Sequence, residues 1–259
     1  MLGLVDYDAE LQRHTEVLRQ AWDVQPHDHV LDIGCGTGHT TRMAARIAQD
    51  GSALGVDISE PMIVRARELA RAEGLRNATF LRADVQVHRF RQERYDLAIS
   101  RFGTMFFDDP ATAFANIGRA LRPAGRLVMM VWQAQECNDW DVAIGDALRS
   151  AEWPAVQPSE GPDPFSLAQP PVVTETLGAA GFAEVAFTDV HEPVYYGPDV
   201  AAALDWVRRF ASTTEALRNL DPAAAARALG RVRQVLGAHL SDDGVWFDSR
   251  AWLITARRR

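Results

Sequence analysis

Cysteine is scarce: the 259-residue sequence holds two, Cys35 and Cys137. Two distant thiols build neither a disulfide framework nor a zinc cluster. Long apolar runs are missing too. No stretch approaches the roughly 20 apolar residues of a membrane span, and no basic segment leads into an apolar one at the start, so neither a membrane partner nor a signal peptide is expected and a cytoplasmic location is the default. Positive charge is in deficit, with a formal net charge of −8. Nucleic-acid binders neutralise phosphates with basic side chains, so no nucleic-acid partner is expected, and the terminal Arg257-Arg258-Arg259 reads as a solvated tail. The HxH pair His27 and His29 flanks a core strand with no third ligand evident, so no metal is expected. What is present is apolar matter, 47% of residues against 24% charged, enough for a packed core and one α/β domain over residues 1–259.

Hydrophobic periodicity places elements in alternation. A helix is predicted over Asp8–Ala21, with Leu11, Thr15, Leu18 and Trp22 on one face. Strands follow at His29–Ile33, Ala53–Val56, Ala78–Arg82, Tyr95–Ser100 and Arg126–Trp132. Helices are predicted over Thr40–Gln49, from the Ser59 cap to Glu73, and from Asp109-Pro110 to Leu121. The fifth strand is strongly apolar and therefore central. Short connections in this βαβα order call for a doubly wound, mostly parallel sheet covered on both faces. Residues 1–132 form the expected cofactor half. Beyond it the pattern predicts a helix near Trp140–Ala151, a proline-rich loop through Pro154, Pro158, Pro162 and Pro164, a helix over Val172–Ala180 and a strand over Glu184–Val190. Two long helices, Asp199–Asn219 and Pro222–Leu240, follow, the second with Leu229, Val232, Leu236 and Leu240 on one face. A turn at Ser241–Gly244 leads to one long last strand, Val245–Arg257.

The sharpest motif is Val30-Leu31-Asp32-Ile33-Gly34-Cys35-Gly36-Thr37-Gly38. Glycines after a first strand let a ligand touch backbone and open a helix N-terminus. Asp32, two residues before Gly34, would repel a pyrophosphate and attract an ammonium or sulfonium. Asp57 closes the second strand, where a carboxylate can accept from two ribose hydroxyls. Asp84, with Val85, closes the third, where an adenine amine would lie. A nicotinamide-dependent oxidoreductase uses a similar glycine turn, but Asp32 and Asp84 argue against it.

With these residues in place the sequence resembles class I S-adenosylmethionine (SAM)-dependent methyltransferases of the ubiquinone/menaquinone-methyltransferase-like group. The resemblance covers residues 5–135 and rests on Val30–Gly38, Gly55-Val56-Asp57-Ile58-Ser59 with Met62, Ala83-Asp84-Val85, Phe102–Phe107 and Leu121–Leu127. It implies a seven-stranded sheet with an antiparallel last strand, SAM as cofactor with S-adenosylhomocysteine as product, and a cofactor site of Asp32, Gly34, Cys35, Gly36, Gly38, Asp57, Ile58, Met62, Asp84, Val85 and Ser100. The connection between the last two strands is longer than the family's. Residues 133–170 and 193–244 are expected as helical insertions forming a substrate lid, with a homodimer contact or a stabilising flank as the other use of the second.

Substrate candidates are Tyr7, His14, Arg101, Phe102, Met105, Trp132 and Phe165. His14 and His191 are the only candidates for a base. No nucleophile–His–acid set suggests covalent catalysis. The fourth strand ends Ser100-Arg101-Phe102-Gly103 and lacks the Asn/Asp-Pro-Pro-aromatic tetrad of enzymes that methylate amino groups of bases and glutamine. The expected reaction is therefore direct displacement by an oxygen or carbon atom of a small organic molecule. A SAM-binding regulator or scaffold without transferase activity, and a SAM enzyme doing other chemistry such as cyclisation, share the same motifs.

Overall fold

The computed structural model describes residues 7–149, 163–218 and 220–259. In chain order these form α1 Gln12–Ala21, β1 His29–Ile33, α2 His39–Ile47, β2 Ser52–Asp57, α3 Glu60–Ala72, β3 Ala78–Arg82, β4 Tyr95–Arg101, α4 Pro110–Ala120, β5 Leu121–Trp132, α5 Asp139–Leu148, α6 Pro170–Ala179, β6 Phe182–His191, β7 Val194–Gly197, α7 Val200–Val207, α8 Ala211–Arg218, α9 Pro222–Ala238, β8 Leu240–Ser241, β9 Gly244–Phe247 and β10 Arg250–Arg258. They divide into two compact units.

The sheet unit holds His14–Gln133, Ala251–Arg259 and the described part of Pro162–Val190. Its seven strands run in the order β3-β2-β1-β4-β5-β10-β6. β1 pairs in parallel with β2 and β4, and β4 with β5, while β10 runs antiparallel to β5 with Leu253 opposite Met130. The order reverses between β1 and β4, the switch point at which ligands bind in open α/β sheets. The interior strands are apolar on both faces because helices cover both: Val30, Leu31, Leu97, Ala98, Ile99 and Met130 are fully buried. Asp109 starts α4 by accepting the Thr112 N–H at 3.0 Å, as its place before Pro110 predicts. Ser59 occupies the cap position of α3 without a capping bond from its side chain.

The helical unit holds His191–Arg250 and Ala134–Gly161 with Met1–Arg13, each as far as described. A three-stranded antiparallel sheet, β7-β9-β8, accompanies α5, α7, α8 and α9. The carbonyls of Ala147 and Arg149 at the C-terminal end of α5 accept from the Arg231 guanidinium of α9, which satisfies groups a helix end leaves orphaned.

Several expectations are corrected here. The last strand is two strands in two sheets, because the chain breaks at Asp248-Ser249: the Asp248 carbonyl accepts from the Asp139 N–H, and the Ser249 hydroxyl donates to the Glu192 carbonyl. The helix predicted over Asp199–Asn219 is two helices, α7 and α8, with Asn219 outside the described residues. β7 was not predicted at all. The buried face of α9 is Ala224, Ala228, Val232 and Leu236, whereas Leu240 is exposed in β8. α1 starts four residues later than expected, at Gln12. Pro154, Pro158 and Pro162 of the proline-rich loop lie outside the described residues.

Candidate active site

Asp32 is buried, at 1% exposure. Its Oδ2 accepts the hydroxyls of Thr40 and Thr41, at 2.7 and 2.5 Å, from the first turn of α2. Its Oδ1 is buried without a partner. Burial pushes the carboxyl up to about 6, against the two threonine bonds and the Arg101 charge, which pull it down. An ionised carboxylate here needs a positive group at the bare oxygen.

The glycine turn is pinned to the end of β2. The N–H groups of Gly34 and Cys35 donate to the Val56 carbonyl at 2.9 and 3.0 Å, and the Gly36 N–H donates to Asp57 Oδ2 at 2.9 Å. Asp57 Oδ1 accepts the Ser59 N–H at 2.8 Å. Gly34 and Gly36 have φ of 67° and 52°, a region side chains strain to reach. The two differ in surroundings. A Cβ on Gly34 would lie 2.8 Å from Gly103 Cα, so the ends of β1 and β4 meet backbone to backbone, whereas a Cβ on Gly36 would meet nothing within 4 Å. Beside this open loop Ile58 is 71% exposed, a large apolar side chain presented at the rim, with Met62 half-buried on the first turn of α3.

Asp84 follows β3 with its Oδ1 bonded to the Gln86 N–H at 2.8 Å. The Asn116 amide, reaching from α4, donates to the Val85 and His88 carbonyls at 2.6 Å each and fixes this turn. Ser100 is buried, its hydroxyl donating to the Ile33 carbonyl at 2.9 Å and accepting the Gly103 N–H at 3.2 Å. Cys35 packs among Ile63, Ala66, Ala70 and Phe80, and burial raises its thiol well above the usual range. Sequence reasoning missed Thr40, Thr41, Gly103 and Asn116. The first three stand inside or beside the quoted motifs, but Asn116 carries no sequence signal, since a helical asparagine is commonplace.

The acceptor-side candidates divide between the units. In the sheet unit Phe102, just past β4, has φ 56°, a rare value for an aromatic residue. Its ring stacks on Trp132 at 3.9 Å, and His14 stands edge-on to both, 5.6 Å from Phe102 and 5.2 Å from Trp132. His14 is fully buried, and burial reinforced by Arg101 holds its imidazole at about 3, neutral at physiological pH. Arg101 donates to Thr15 Oγ1 at 2.8 Å. Met105 is buried, with its sulfur 3.4 Å from the Trp132 nitrogen. The Ser166 hydroxyl donates to the Met105 carbonyl at 2.6 Å, which brings the half-buried Phe165 and its turn to this segment. In the helical unit Tyr7 stands edge-on to Trp206, 5.7 Å away, and the exposed His191 faces Asp248 at 2.5 Å. Among the described residues no three His, Cys, Asp or Glu side chains gather to hold a metal.

Residues 30–125 match the profile of a methyltransferase domain family. The chain is 28% identical to nocamycin O-methyltransferase of Saccharothrix syringae over 71% of its own length and 69% of that protein's. It is 35% identical to the ubiquinone/menaquinone biosynthesis C-methyltransferase of Teredinibacter turnerae, over 41% of this chain and less than half, 44%, of that one. Residues 30–125 are thus a methyltransferase domain of the kind found in class I SAM-dependent enzymes. Its fold is that of solved methyltransferase-like proteins: the YcgJ protein of Bacillus subtilis superposes with a TM-score of 0.66 at 19% identity, over 96% of this chain and 99% of that one. The cofactor is SAM, and this chain's own residues suit it. The bare oxygen of Asp32 suits a positive end, Asp57 and Asp84 are carboxylates at successive strand ends, and the space at Gly36 admits a ligand against backbone. Among the described residues no helix is long and apolar enough to cross a membrane.

Proposed function

We propose that the protein transfers the methyl group of SAM to an oxygen or carbon atom of a small organic molecule by direct displacement. When bound, SAM supplies a methyl carbon on a positively charged sulfur, already a good leaving centre. The protein contributes alignment and exclusion of water. Asp57 and Asp84 hold the nucleoside end, Asp32 faces the positive end, and Phe102, Trp132 and Met105 provide a buried apolar wall at the ends of β4 and β5.

The observation that carries the O- or C-acceptor reading is the tip of β4. It presents Phe102 stacked on Trp132 in place of the polar amide- or carboxylate-Pro-Pro set that grips an amino group. The chain contains no lysine, and His14, at about 3, is a weak base. The acceptor that suits such a site is nucleophilic already, through an acidic hydroxyl or an enolisable carbon, and needs little help in losing its proton. The two relatives named above, an O- and a C-methyltransferase, support the same two atoms. The helical unit, which contains most of the expected lid segments, supplies acceptor recognition in this reading. Incubation with isotopically labelled SAM and a panel of phenols, enols, carboxylic acids and amines, read by mass spectrometry, is the test. Labelled O- or C-methyl products are expected, and methylation of amines alone would overturn the assignment.

A further inference from the structure

Among the described residues of the helical unit, four buried polar atoms have no hydrogen-bond partner: Tyr196 Oη, Trp206 Nε1, Thr213 Oγ1 and Trp246 Nε1. Buried donors are nearly always paired, so these orphans require an explanation. Two of these side chains, Tyr196 and Trp206, meet at Phe210. Tyr196 of β7 and Trp206 of α7 each stand edge-on to the Phe210 ring, at 5.8 and 5.7 Å, and Thr213 lies in α8, which begins directly after Phe210. Tyr196 is 3% exposed and Thr213 fully buried. Phe247 flanks Tyr196 at 4.9 Å and Tyr7 flanks Trp206 at 5.7 Å. The fourth orphan, Trp246 Nε1, belongs to the opposite face of β9, where its ring meets Tyr195.

The chemistry of the other three atoms narrows what would satisfy them. An indole N–H can only donate, and a phenol or a threonine hydroxyl donates readily. Burial, with Glu10, Asp141 and Tyr7 nearby, raises the Tyr196 phenol well above its usual range, so it stays a neutral donor. The complementary ligand therefore offers oxygen acceptors. The same two carboxylates disfavour a further negative charge beside Tyr196, so those oxygens are carbonyls of a neutral molecule rather than a carboxylate. The surrounding rings offer edges and faces to a flat aromatic body. We propose that Tyr196, Trp206 and Thr213 form the recognition site for a neutral aromatic carbonyl compound, and that this compound is the methyl acceptor. Admission requires the corner between α7 and α8 to lift, and residues 208–210 between these two eight-residue helices are where it would bend.

Identification of the occupant as the acceptor rests on the proposed methyl transfer; binding does not. The full-length protein is titrated with 1-indanone and with indane, which shares the ring system and lacks the carbonyl, with and without S-adenosylhomocysteine, by calorimetry. The site predicts that the ketone binds at least tenfold more tightly than the hydrocarbon. In Tyr196→Phe and Trp206→Phe this preference falls to within twofold while indane binding is kept, and in Tyr196→Phe, which removes an unsatisfied buried hydroxyl and keeps the ring, the melting temperature is equal to or above that of the parent. Thr213→Val, nearly the same size and shape, serves if either ring variant fails to fold. No ketone preference in the parent protein, or a preference that survives in the variants, overturns the proposal. A preference lost in the variants, with no ketone methylated by labelled SAM, leaves the site standing and overturns its role as acceptor site.

Discussion

Single residues of the cofactor loop do separable jobs. Gly34→Ala forces a side chain to 2.8 Å from Gly103 Cα and should destabilise the fold by about 1–3 kcal/mol through strain and displaced backbone. A Cβ at Gly36 meets no protein atom within 4 Å, so Gly36→Val is the variant that intrudes on the ligand's space rather than on the fold. It should keep a native circular dichroism spectrum, with some loss of stability from its positive φ, and should abolish S-adenosylhomocysteine binding; normal binding would contradict the loop geometry. Two buried titrating groups shape the response to pH in opposite senses. The fold raises Asp32 from 3.8 to about 6, so its stabilising contribution is complete below the unfolded value and is lost as pH rises through 6. The fold lowers His14 from 6.5 to about 3, so its contribution is complete above 6.5 and is lost as pH falls towards 3. From pH 7 to pH 5 the His14 term alone removes about 2 kcal/mol. Urea titrations across this range should show parent and His14→Gln converging by that amount, and a constant difference would contradict the buried neutral imidazole. Binding of a positive ligand group beside Asp32 requires the carboxylate. Affinity for S-adenosylhomocysteine should therefore fall about tenfold per unit below pH 6, and Asp32→Asn should flatten that profile.

At the scale of elements, capping and periodicity explain what the sequence made legible. Asp109 caps α4 through the Thr112 N–H, and Asp109→Ala should cost about 1 kcal/mol in urea unfolding; no loss would mean that Pro110 alone sets the start. β1 and β3 have their predicted limits because short apolar runs closing on an Asp or a Gly leave little freedom. The cofactor loop was legible for the same reason: chemistry and fold both demand its residue types. The helical unit was not. β7, Val194–Gly197, is four residues long, and its partner β9 lies in what reads as one continuous strand with β10. Bonds that are long-range in sequence, made by Asp248, Ser249 and Arg250, divide the two. The face of α9 was misread because Ala224 and Ala228, small and weakly apolar, make the buried stripe that larger leucines were expected to make. Tyr196, Trp206 and Thr213 escaped notice because being orphaned is a property of packing, which no sequence pattern encodes.

At the scale of the whole molecule, the proposed function has SAM bound in the sheet unit and the acceptor recognised by the helical unit. Hydrogen exchange tests the second assignment: residues 199–240 should gain protection with S-adenosylhomocysteine and an acceptor together beyond that with S-adenosylhomocysteine alone, and unchanged exchange would remove the helical unit from acceptor binding. The central claim is that SAM sits on the Asp32–Gly38 loop with its ribose on Asp57. Asp57 already accepts the N–H groups of Gly36 and Ser59, so its loss affects both the loop and the ribose, where charge-assisted bonds are worth about 1.5–3 kcal/mol each. Calorimetric titration of S-adenosylhomocysteine and of NADH into the parent protein and into folded Asp57→Ala is the most direct test. The account predicts one S-adenosylhomocysteine per chain in the parent, at least a hundredfold weaker binding in the variant, and no NADH binding in either; equal affinity in parent and variant, or preference for NADH, would contradict it.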